Sequence, residues 1–123
     1  MAESFEAGAL LGHVYTLPDG LPVRLRLARS SDAPGVRRLL DDERSGLEPG
    51  RLVHFDPRRR YVVCATGLVD GRETLLGVGA IRLDDGTAPD LLVVDGRQPQ
   101  ELTDLLRCAL ESCAEAVTRA RAA

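Results

Sequence analysis

Asp90-Leu-Leu-Val-Val-Asp95-Gly96-Arg97-Gln98-Pro99-Gln100-Glu101-Leu102 carries the chain out of a strand and into a helix. Leu91 to Val94 is an apolar run that predicts a buried strand. Pro99 suits the first helical position, where its missing N–H would find no partner within the helix in any case. From there Leu102, Leu105, Leu106, Ala109, Leu110, Cys113, Ala116 and Val117 form one stripe at helical spacing. A strand delivered to a helix N-terminus is a common anion cradle, because free N–H groups and the helix dipole face the ligand. Such cradles use glycines so that the backbone can approach a phosphate closely. Here Gln100, Glu101 and Leu102 fill the first turn, and Glu101 would set negative charge against a negative ligand.

Working upstream, Arg60-Tyr-Val-Val-Cys-Ala-Thr66 is short and β-branched, and Val69-Asp70-Gly71-Arg72 supplies a turn. Thr74 to Leu83 returns as a strand, Asp84-Asp85-Gly86-Thr87 turns again, and Asp90 to Val94 follows, giving an antiparallel meander. Near the start, His13 to Leu17 and Val23 to Leu27 flank Pro18-Asp19-Gly20 and predict a hairpin. In its second strand Val23, Leu25 and Leu27 alternate with Arg24 and Arg26, so one face is expected to be wet. Ser30-Ser31-Asp32 offers helix-capping side chains, and Val36, Leu39 and Leu40 recur at helical spacing. Gly46 and Pro49-Gly50 are expected to end that region, while Arg51 to His54 fits a helical turn or a loop. The order is ββαβββα: an α+β fold, a mostly antiparallel sheet with helices packed on it. Residues 1–12 read as an N-terminal extension and 13–123 as a single domain.

A chain of 123 residues with 44% hydrophobic content supports one modest core. Its net charge of −3 does not fit a nucleic-acid binder. All 16 basic residues are arginine, with no Lys, Asn or Trp, a bias of GC-rich bacterial coding sequence. Cys64, Cys108 and Cys113 are odd in number and lack metal-type spacing, so they are expected to be small buried hydrophobes in a reducing cytoplasm. No apolar run reaches the roughly 20 residues that span a bilayer, and the N-terminus lacks the positive region of a signal peptide. A soluble cytoplasmic domain with no membrane partner is expected.

The blocks along this order resemble the GNAT superfamily of acetyl-CoA-dependent N-acetyltransferases, closest to its bacterial protein-acetyltransferase branch. Leu17-Pro-Asp-Gly20 followed by Val23-Arg-Leu-Arg-Leu-Ala-Arg-Ser-Ser-Asp-Ala33 is similar to that branch's opening hairpin and aspartate-started helix. Leu52-Val-His-Phe-Asp-Pro57 before Tyr61-Val-Val-Cys-Ala65 is similar to its second block, and Gly77-Val-Gly-Ala-Ile-Arg82 to its third strand. The likeness spans about residues 13 to 95. It implies a GNAT-like fold, truncated after the third family helix at Ala123, with the strands of the opposite cleft wall missing. It also implies a degenerate site. The family's pyrophosphate loop has glycines where Gln100 and Leu102 stand, and the branch's general-base glutamate falls at Pro89, with Asp90 one residue on.

The expected reading is therefore a degenerate N-acetyltransferase-like domain that serves as an interaction or regulatory module, without catalytic residues, bound metal or cofactor. The alternative is a small acetyl-CoA-dependent N-acetyltransferase whose second cleft wall comes from another subunit. Were CoA still bound, the resemblance implies Val94 and Arg97 as its contacts. A third reading is a small-ligand sensor using the same cleft. Asp90 reads as an exposed turn-end acid, and Arg58-Arg59-Arg60 as a solvated cluster paired with neighbours such as Asp56. His13 and His54 have no ligand spacing around them. Homodimerisation is expected through the apolar Leu91 to Val94 edge or the terminal helix, with a further protein partner as the other expected contact.

Overall fold

The computed structural model describes residues 11–41, 49–83, 88–95 and 99–122. Its strands are β1 (Val14–Thr16), β2 (Pro22–Leu27), β3 (Arg60–Val69), β4 (Arg72–Arg82) and β5 (Leu91–Val94). A 3₁₀ turn at Ser30–Asp32 leads into α1 (Ala33–Asp41), followed by α2 (Pro49–Val53) and, after β5, α3 (Pro99–Ala122). The fold is α+β: the strands make one antiparallel sheet in the order β1-β2-β3-β4-β5, with helices packed on it.

The turns follow their residue chemistry. Gly20 takes φ +92°, and its N–H bonds the Leu17 carbonyl at 2.8 Å, closing the β1–β2 hairpin. Asp70 and Gly71 take φ 53° and 77° between paired Val69 and Arg72, the two left-handed residues that a tight hairpin with native strand twist requires. The turn expected at Asp84 to Thr87 lies outside the described residues.

Strand alternation sorts side chains onto two faces. On one, Val23, Leu25, Val63, Ala65, Leu76 and Ile81 meet Leu102, Leu106, Ala109 and Leu110 of α3. On the other, Val62, Cys64, Leu75, Val78 and Ala80 meet Val36, Leu39 and Leu40 of α1 and Leu52 and Val53 of α2. The sheet is thus a middle layer with helices on both faces. The α3 stripe is spent inside the chain, with Leu106, Ala109 and Leu110 fully buried. Close approach of α3 explains Gly77 and Gly79. A Cβ on Gly79 would stand 2.7 Å from Leu110 Cδ1, and one on Gly77 2.9 Å from Leu106 Cδ1.

Several expectations need correction. Pro49-Gly50 opens α2 rather than ending a region, since proline is well placed in a first helical turn; this also resolves Arg51 to Val53 as helical. Cys108 is exposed, because its position falls on the outer face of α3, while Cys64 and Cys113 are buried. Leu27 is 38% exposed at the end of β2, where the chain leaves the sheet. Among the described residues, no helix is long and apolar enough to cross a membrane.

Candidate functional site

The end of β5 is where the resemblance directs attention. Val94 pairs with Gly77, and its Cγ1 would stand 3.1 Å from a Cβ placed there, so this side chain packs inward against β4 and the α3 core. Arg97 lies outside the described residues. The Asp95 N–H bonds the Leu76 carbonyl at 2.7 Å, closing β5 onto β4 up to its last residue. Leu76 itself is the extra residue of a β-bulge, because Ala65 pairs with Gly77 and Thr66 with Leu75. Arg38 on α1 donates to the Leu75 carbonyl at 2.7 Å and reaches Asp95 at 3.8 Å, so one arginine ties helix, bulge and strand end together.

The first turn of α3 does not fit a phosphate. Leu102 is buried in the core, Glu101 is exposed with its charge at the helix start, and Gln100 is engaged with Asp104 at 3.0 Å. Asp90, the acid nearest the expected reaction point, is ion-paired with Arg60 of β3. Arg58 pairs with Asp56 at 3.3 Å, so the basic cluster is divided between two acids. His13 and His54 are exposed. Among the described residues, no group of three or more His, Cys, Asp or Glu side chains converges as a metal site.

The most organised polar site lies elsewhere, in a cleft of about 230 Å³ between the start of α1 and the sheet. Arg26 of β2 forms its floor and grips Asp32 with both terminal nitrogens, at 2.7 and 2.8 Å. Asp32 also accepts the Arg29 N–H at 2.7 Å and a weak bond from the Cys64 thiol at 3.8 Å. Glu73 of β4 lies 3.6 Å from Arg26 and accepts from the buried Thr66 hydroxyl at 3.5 Å. Arg26 and Asp32 are only 11% and 8% exposed, so the face of β2 expected to be wet is dry at Arg26. The Nε of Arg26 is buried without a hydrogen-bond partner among the described residues.

These environments set protonation. Burial alone would raise the Asp32 carboxyl, but the Arg26 hydrogen bonds, the Arg29 N–H and both arginine charges outweigh it and hold Asp32 below the usual carboxylate range. Burial, followed by the Asp32 charge, pushes the Cys64 thiol up to about 12. Burial alone pushes Cys113 up to about 11. At neutral pH Asp32 therefore stays ionised and Cys64 stays a thiol. Neither is poised as a general base or a nucleophile. The Arg26–Asp32 pair instead pins the start of α1 onto the sheet.

Sequence reasoning missed this network. Alternation places Arg26 on a wet face and Ser30-Ser31-Asp32 at a helix start; the second holds, the first does not, and neither reveals that the two side chains meet. The available signal was an arginine inside an alternating strand followed six residues later by a helix-starting acid. Comparison of the chain with protein-family models, curated proteins and solved structures gives no match.

Proposed function

We propose that this chain is a degenerate, N-acetyltransferase-like domain of the cytoplasm, without acetyl transfer of its own, that works as an interaction or regulatory module. The observation that carries this reading is the engagement of Asp90 by Arg60: the acid nearest the expected reaction point is spent on an ion pair between β3 and the start of β5. Three further features support it. Val94 turns into the core, Leu102 stands buried where a phosphate cradle wants glycine, and Glu101 opposes an anion at the helix start. Three free cysteines suit a reducing compartment.

The test is an acetylation assay against amine and peptide acceptors, run beside thermal melts with CoA and acetyl-CoA. A ligand that binds only the folded chain must raise its melting temperature. The expected outcome is no shift with either ligand and no acetylation above background, in the wild type and in Asp90→Ala alike. A wild-type rate abolished by Asp90→Ala would establish the enzyme reading, with its second cleft wall from another subunit.

A further inference from the structure

The exposed large apolar side chains of the described residues are Val14, Leu27, Leu68 and Val69, all in β1, β2 and β3. The face of the sheet that carries α1 is covered unevenly. This helix packs over β4 and β5, and among the described residues no helix lies over the same face of β1, the first half of β2 and the far end of β3. Register fixes what stands there. Val14 is opposite Arg24, which is opposite Thr66, and one row further out lie Pro22, Leu68 and Glu73. These residues line a shallow groove of about 210 Å³ with Gly67 in its floor. Leu68 is 67% exposed and Val14 54%, the two most exposed large hydrophobics described.

Charge on this face has an order. Arg24, on β2, is exposed and has no ion-pair partner among the described residues. Glu73, on β4, is half exposed beyond its contacts with Arg26 and Thr66. Leu68 stands on β3 between them. A surface with an apolar centre, a cation on one side and an anion on the other complements itself under two-fold rotation. The rotation lays the cation of each copy over the anion of the other.

We propose that this open face is a homodimer interface. Leu68 lies near the two-fold axis and Arg24 of each copy faces the partner's Glu73. Apolar contact around Leu68, Val14 and Pro22 supplies affinity, and the two crossed ion pairs fix orientation. The β5 edge is a poorer candidate: it is four residues long and flanked by the charged Asp90 and Asp95, which are features that discourage strand addition. The inference deepens the interaction-module reading. Its test makes no use of acetyl-CoA, so either proposal can fail while the other stands.

Sedimentation equilibrium of the wild type at micromolar concentrations is expected to give twice the chain mass. Leu68→Glu, at a site too exposed to carry the fold, is expected to sediment as a monomer with an unchanged circular dichroism spectrum. Arg24→Gln and Glu73→Gln are each expected to weaken the dimer roughly tenfold, and the double variant no more than the worse single one, because both remove the same pair. A wild-type monomer, or a Leu68→Glu variant that stays dimeric, overturns the proposal. Losses that add in full in the double variant overturn the crossed pairing.

Discussion

The two halves of one sheet face differ. Over β4 and β5, Leu75, Val78, Ala80 and Val93 meet the apolar side of α1 in a dry layer. Over β1, β2 and the tip of β3, the same face alternates apolar and charged residues: Val14 and Arg24 in one row, Leu68 and Glu73 in the next. The covered half holds the molecule together, since burial of apolar area is what offsets chain entropy. The open half contributes little to folding and is free to contact something else. Between them sits the Arg26–Asp32 pair, which fixes where α1 begins and so where cover ends. Its bidentate grip is placed to set position, because buried ion pairs stabilise little relative to a well-packed apolar alternative.

The contrast can be broken by substitution. Leu39→Ala empties a buried site of α1 over the covered half and is expected to cost about 4 kcal/mol in urea unfolding, while Thr16→Ala on the open half should stay within about 0.5 kcal/mol. Comparable losses at both sites would dissolve the distinction. Asp32→Ala leaves Arg26 buried without its partner and is expected to cost about 3 kcal/mol, measured the same way.

Acid should act on the same pair. The Asp32 carboxyl is depressed in the folded state, so its contribution is present above the unfolded carboxyl pKa and is lost as pH falls through the lower folded value. Wild-type stability should therefore drop below about pH 4, with a shallower slope in Asp32→Ala. Cys64 has the opposite sign. Burial holds its folded pKa at about 12, above that of an exposed thiol, so its contribution holds below about pH 9 and is lost as pH rises toward 12. Cys64→Ala is expected to flatten that alkaline decline in thermal melts, whatever it does to stability at neutral pH.

A small effect is expected at Asp90. Asp90→Ala removes a partly exposed ion pair with Arg60 and should cost less than about 1 kcal/mol. A much larger loss would mean that this pair, rather than the apolar layers, holds β5 to the sheet.

What was legible in the sequence is what local chemistry decides. Asp70-Gly71 and Pro18-Asp19-Gly20 announce their turns, and the stripe from Leu102 to Val117 announces α3. Those turns join β1 to β2 and β3 to β4, but the pairing of β2 with β3 spans α1 and α2 and comes only from the fold. The division of the sheet into a covered and an open half was not legible, because it depends on the path of α1 across strands distant in sequence. For the same reason the cleft was missed: Arg26, Asp32, Thr66 and Glu73 come from four separate elements and meet only through register and packing. Helix α2 stays undecided from sequence because five residues give too short a pattern to separate a turn from a loop. The inward role of Val94 depends on Gly77 across the ladder, which no reading of β5 alone supplies.

The proposed degenerate domain requires that acetyl-CoA does not bind. Calorimetric titration of the purified protein with acetyl-CoA tests it most directly. No heat beyond dilution is expected, because Leu102 belongs to the core and Glu101 sets negative charge against a phosphate at the start of α3. Saturable binding with a micromolar dissociation constant would contradict it.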